Sequence, residues 1–232
     1  MKSYSLPRFA TCLLVAFFAL AASTSIAQSS REYIRNCIQN YGECHNVAIT
    51  KTNGDAMLYG SNGWAASHCP DAFVSTLREL NGENVRIVDI QLTENGNWLV
   101  LYGSNGLRWN GISYSLEQQL REYNRDQEEI TSVSFNDRGD WIIVTTNYIS
   151  ASDSEITNWM SEGMEIYGKV WATCVTDDAI VVVYEEGFRF RGNIPETLRE
   201  ALSNTDINVY RLKIAGNSWF FSDGVSRYDY YM

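Results

Sequence analysis

From Val88 to Tyr102 the chain first alternates and then runs apolar. Val88-Asp89-Ile90-Gln91-Leu92 is followed by Asn95-Gly96 and then by Trp98-Leu99-Val100-Leu101-Tyr102. Alternation predicts a strand, the Asn-Gly pair a hairpin turn, and the apolar run a second strand covered on both faces. The order recurs. Glycines predicted to sit in that turn, Gly54, Gly96 and Gly139, lie 42 and 43 residues apart. The residues that open the second strand, Trp98, Trp141, Ile180 and Trp219, are spaced by 43, 39 and 39. A period of about 40 residues is the mark of a repeat architecture, in which each unit buries its apolar faces against its neighbours.

Within each unit the second strand ends in another turn. YGSNG stands at Tyr59–Gly63 and again at Tyr102–Gly106. It predicts a strand end followed by a reversal on Asn-Gly, leading to a short third strand such as Leu107-Arg108-Trp109. A helix follows, with Ser113 or Asp153 suited to cap its start. Its apolar stripe is narrow: Phe73 with Leu77, Leu116 with Leu120, Ile156 with Met160, Leu198 with Leu202. The last unit reaches Met232 without a helix, while residues 30–38 read as a helix with Ile34 and Ile38 in the stripe. The expected fold is therefore an α+β repeat ring over residues 28–232. It has five strand-strand-strand-helix units, is five-bladed and propeller-like, and is closed by the N-terminal helix. Closure hides strand edges that would otherwise pair with other chains.

Ahead of these units, Lys2 and Arg8 precede the apolar run 9–22, and Ser25-Ile26-Ala27 places small residues before Gln28. This is the pattern of a cleaved signal peptide over residues 1–27, and the run is short for a membrane span. The expected location is the periplasm or the exterior, with no membrane span in the mature chain. Loss of Lys2 and Arg8 takes the formal charge from −10 to −12. An acidic chain without a basic run repels phosphate backbones, so nucleic acid is not an expected partner. The chain is expected to be a monomer whose partner is an extracellular or periplasmic ligand or protein. Four cysteines remain after cleavage, Cys37, Cys44, Cys69 and Cys174. Export permits disulfides, and Cys37 with Cys44, the pair closest in the chain, is the candidate bridge.

The unit NGxWLVLYGSNGxxWxGIxxxLxxxL resembles a propeller-like repeat of uncharacterised bacterial secreted proteins. The likeness spans residues 31–232 and is fullest in the second unit, through Gly96, Trp98, Tyr102, Asn105, Gly106, Trp109 and Gly111. The third unit departs from it, with Thr145-Thr146-Asn147-Tyr148 in place of Tyr102-Gly103-Ser104-Asn105. The resemblance implies a propeller-like fold and no activity. The five-fold order of strands and helices is also similar to the penteins, α/β-propellers that include guanidine-modifying enzymes with a Cys/His pair.

Several residues are candidates for chemistry. Arg108, Arg189 and Arg227 stand on the third strands, flanked by Trp109, Phe190 and Tyr228. If those strands faced a central channel, three guanidinium groups would converge on an anion. Trp64 and Trp109 are candidates for stacking on a sugar ring. Trp98, Trp141 and Trp219 recur at one strand position and are expected in the core, whereas Trp159 and the tail Tyr228-Asp229-Tyr230-Tyr231 are not placed by the repeat. Cys44-His45 and His68-Cys69 have the residue types of a zinc site or a thiol nucleophile, but neighbours on a strand point to opposite faces. No metal or cofactor is expected. The function read from the sequence is an exported, propeller-like binding or interaction protein for a glycan, small anion or protein. The alternative is an extracellular enzyme acting on envelope polysaccharide, or a pentein-like Cys enzyme.

Overall fold

The computed structural model describes residues 29–232. Residues 1–27, read above as a signal peptide, lie outside the described residues. The chain forms five three-stranded antiparallel sheets, each with its strands in sequence order. The first holds β1 (Cys44–Ala48), β2 (Asp55–Tyr59) and β3 (Gly63–Ser67); the second holds β4 (Ile87–Leu92), β5 (Trp98–Tyr102) and β6 (Gly106–Asn110). The third is β7 (Ile130–Phe135), β8 (Trp141–Thr145) and β9 (Ile149–Ala151). The fourth is β10 (Val170–Val175), β11 (Ala179–Tyr184) and β12 (Gly187–Gly192), and the fifth is β13 (Arg211–Ala215), β14 (Ser218–Ser222) and β15 (Tyr228–Tyr231). Helix α1 (Ser30–Tyr41) precedes the first sheet. The other helices, α2 (Asp71–Gly82), α3 (Tyr114–Arg125), α4 (Ser154–Tyr167) and α5 (Glu196–Asn204), link successive sheets.

The core is divided into five parts, each between two sheets and under one helix. Phe73, Leu77 and Leu80 of α2 cover Leu58 of the first sheet and Ile90, Trp98 and Val100 of the second. Leu116 and Leu120 of α3 join the second sheet to the third, Ile156 and Met160 of α4 the third to the fourth, and Leu198 and Leu202 of α5 the fourth to the fifth. The fifth part joins the last sheet to the first: Ile34 and Ile38 of α1 pack with Val47, Met57 and Ala65, and with Ala215 and Phe220. Two or three apolar residues per helix suffice because each stripe lies in the groove between two sheets. Helix α1 is further tied to the first sheet by a bidentate Arg31–Asp55 ion pair and by Ser30 Oγ, which donates to Ser67 O at 2.9 Å. Arg35 donates to the carbonyl of Met232.

The first strands of the sheets are innermost. β1 packs on β4, β4 on β7, β7 on β10, β10 on β13, and β13 and β14 on β1. The third strands meet the helices instead. Between the inner strands Lys213 Nζ donates to Asp89 Oδ1 at 2.7 Å, with the two side chains 7% and 0% exposed. Asn46 Nδ2 donates to the same oxygen at 2.7 Å. This network ties together the fifth, second and first sheets.

In YGSNG the residues have separate roles, and the Asn-Gly pair is not the reversing step that the sequence pattern predicts. The first glycine carries the left-handed backbone, with φ of 56° at Gly60 and 59° at Gly103. Its N–H donates to the carbonyl of Glu43 or Arg86, the residue just before the first strand of the unit. The second glycine makes room for a ring. A Cβ at Gly63 or Gly106 would fall 2.5 or 2.2 Å from the Tyr59 or Tyr102 side chain. The asparagine ties the turn outward. Asn62 exchanges hydrogen bonds with Asn81, while Asn105 accepts from Asn124 Nδ2 and the N–H of Ile130 and donates to the carbonyl of Glu128. The third unit, which lacks the motif, reverses on Thr145, whose Oγ1 accepts the N–H groups of Asn147 and Tyr148.

Candidate functional site

The arginines singled out in the sequence do not meet. The third strands are the outer ones, so their side chains face helices rather than the inner strands. Arg108 on β6 pairs with Glu79 of α2 at 2.6 Å. Arg189 on β12 donates to the carbonyl of Trp159, lies 5.0 Å over its ring, and is 3.7 Å from Glu162. Arg227 pairs with Asp206 at 2.6 Å. Nor do all three share one register. Arg108 and Arg189 sit opposite Val100 and Val182 of the second strand, whereas the partner of Phe221 in the fifth sheet is Asp229. Arg227 precedes β15, in the turn.

The candidate stacking residues also have occupations. Trp109 packs against the core between the second and third sheets and carries Arg121 5.2 Å over its ring. Trp64 packs on the core under α2. Trp98, Trp141 and Trp219 are buried, as their strand position predicted. The indole N–H of Trp141 finds Ser115 and that of Trp219 finds Thr197, each at 3.0 Å.

Cys37 and Cys44 come together in the core under α1, but as free thiols, and Cys69 and Cys174 are free as well. Burial pushes Cys44 and Cys69 up to about 12 and Cys174 to about 11, so none of these three is a thiolate near neutral pH. His45 is 3% exposed and held down at about 4 by burial and by the nearby charges of Arg86 and Arg211. The other histidine, His68, bonds Ser67 Oγ at 2.9 Å. Among the described residues no three His, Cys, Asp or Glu side chains are grouped to hold a metal ion.

Two cavities open where the inner strands end and begin. At the turn end, a cavity of about 80 Å³ has a floor of Ile49, Leu92, Phe135, Val175 and Ile214, one from each unit. Its rim is acidic, with Glu94, Asp137, Asp177 and Asp178 against Lys51. Most of that charge is engaged within the protein. Glu94 accepts the backbone N–H groups of Lys51 and Thr52; Asp137 binds Thr93, Asn95 and Asn97; Asp178 holds Lys51 at 2.5 Å. The hydrogen bond to Asp178 accordingly raises Lys51 above its ordinary value, and Asp178 is lowered in turn. Carboxylates that fasten one turn to the next unit are a structural clamp more than a binding surface.

The opposite end differs. A cavity of about 390 Å³ is lined by Lys169, Trp171, Tyr210 and Arg211, with Glu129, Asp223 and Gly224. Arg86 reaches its rim and donates to Gly224 O at 3.5 Å. Arg211 donates to the carbonyls of Val88 and Tyr210. Among the described residues, Arg86, Lys169 and Arg211 form no salt bridge. The two carboxylates are engaged elsewhere: Asp223 accepts three backbone N–H groups of its own turn, and Glu129 accepts Thr146 Oγ1. Trp171 and Tyr210 stand together, ring centroids 5.1 Å apart and tilted by 42°. Three cations beside an aromatic pair were not visible in the sequence: Arg86 and Lys169 share the repeat position just before the first strand, but the first and third units carry Glu43 and Glu129 there, and Arg211 comes from another position. The remaining signal was their placement just before or at the start of an inner strand.

No family model matches the chain, and no curated protein matches it. Among the described residues no helix is long and apolar enough to cross a membrane.

Proposed function

We propose that this is an exported, non-enzymatic binding protein, a closed five-bladed ring of propeller-like units whose ligand is a small organic anion. Closure is supported by the fifth core, in which α1 packs the last sheet against the first. The observation that carries the binding reading is the meeting of Lys169 and Arg211 in one cavity with Arg86 bonded to Gly224 at its edge, none of the three in a salt bridge among the described residues. Guanidinium and ammonium groups outside any salt bridge can take a carboxylate, sulfate or phosphate, and Arg binds such groups in bidentate fashion. An enzyme reading finds less support: burial has raised three of the four thiols, and the two histidines lie on separate segments.

The test is a thermal-shift titration with sulfate, phosphate and glucuronate. An anion present at a hundred times its dissociation constant adds about 2.7 kcal/mol of stability. The shift is expected to vanish in Arg211→Gln with Lys169→Gln and to persist in Arg108→Ala with Arg189→Ala. Dependence on Arg108 and Arg189 instead, or no shift with any anion, refutes this site. Export is tested separately, by mass spectrometry of the secreted chain, whose N-terminus is expected at Gln28.

A further inference from the structure

The anion cavity does not end at its own rim. Trp171 lines it and also lines a second cavity of about 510 Å³, which runs outward between β11, the start of β12 and the segment after α5. Both spaces fall in the range of small-ligand pockets. Trp171 is the shared wall, and Tyr210, which stands against it on the anion side, is 37% exposed. A flat apolar face with a polar tip suits the alternating C–H and hydroxyl surface of a sugar ring.

The outer cavity has a different charge. It is edged by Glu185, Glu186 and Asp206, with Ser203 and Asn208, and no Lys or Arg lines it. Asp206 is paired with Arg227, whereas Glu185 and Glu186 have no salt bridge among the described residues. Free carboxylates accept hydrogen bonds from hydroxyl groups and repel a second anion. A chain of phosphates is thereby disfavoured, since it would carry charge into the outer cavity.

We infer that the ligand is an oligosaccharide with a single acidic sugar at one end, its acid held at Arg86, Lys169 and Arg211 and its neutral, hydroxyl-bearing rings laid across Trp171 into the outer cavity. The inference rests on the anion reading above, and its test separates the two. Binding of three probes to the full chain is measured by calorimetry: glucuronate, a trisaccharide ending in one glucuronate, and a neutral trisaccharide. The one-acid trisaccharide is expected to bind about tenfold more tightly than glucuronate, the scale of one aromatic contact. Trp171→Ala removes that gain and leaves glucuronate binding in place. Since Trp171 is partly buried and its loss perturbs packing, a second variant uses exposed groups: Glu185→Gln with Glu186→Gln raises affinity for a trisaccharide carrying two acids.

Equal affinity for glucuronate and the trisaccharide overturns the inference, as does a gain that survives Trp171→Ala. Tighter binding of the two-acid trisaccharide by the unaltered chain also overturns it, and points to a polyanion. If glucuronate itself fails to bind, or binds unchanged in Arg211→Gln, the anion reading has failed rather than its extension.

Discussion

Lys213→Met removes one end of the ion pair between the inner strands. Methionine keeps the length and apolar body of the side chain, so the change is chiefly one of charge. It leaves Asp89 fully buried. Of its two oxygens, Oδ1 retains Asn46, while Oδ2 already has no hydrogen-bond partner. Burial alone would raise the Asp89 carboxyl, but Lys213, Arg211 and Asn46 together hold it below its ordinary value. Removing one partner of a buried pair costs about 3–5 kcal/mol, because the other charge is stranded. Adding Asp89→Asn is expected to recover most of that loss, since a neutral pair replaces a buried charge. Urea unfolding of both variants at constant m-value measures this cycle. The deficit of Lys213→Met should also shrink on acidification. A stranded carboxyl titrates at a raised pKa, so the folded variant gains a proton before the unfolded chain does and is relatively stabilised as pH falls. A cost below about 1 kcal/mol, the scale of a surface change, would refute the role of this pair in joining the second and fifth sheets.

Other outcomes follow from the same geometry. Ile34→Ala is expected to cost about 2–5 kcal/mol, as much as Leu116→Ala, because both are fully buried under equivalent helices; a loss of a few tenths would mean that α1 is an appendage and the fifth core does not close the ring. His45 sits neutral in the folded chain, at about 4 against an ordinary 6.5. The unfolded chain therefore binds the extra proton, and stability falls as pH drops from about 6.5 to 4, by roughly 3 kcal/mol at the acid end. Comparing pH-dependent melts with those of His45→Gln isolates that contribution, and identical profiles would remove it. Gly106→Ala should destabilise by about 1–3 kcal/mol, since its Cβ would enter the Tyr102 ring; a smaller cost in a Tyr102→Leu background confirms the cause.

Much of the fold was legible in the chain itself. Alternation, the 40-residue period and the paired apolar residues of each helix announced five units of three strands and a helix, and Ile34 with Ile38 marked α1 as one of those helices. These features are local: a side chain's position in a turn of helix or a pleat depends on its neighbours in sequence. The placement of the site was not local. Arg108 and Arg189 looked convergent because they share a register, yet the third strand is outermost, and both face helix carboxylates. Arg86 and Lys169 share a repeat position that is Glu43 and Glu129 in other units, Arg211 does not, and the three meet only when their sheets are brought together. YGSNG shows both sides within five residues. Its turn was readable, but which glycine takes the left-handed backbone and which lies beneath a tyrosine ring depends on where that ring packs. Periodicity specifies units, whereas charge in a cavity is a sum over residues that only packing brings together.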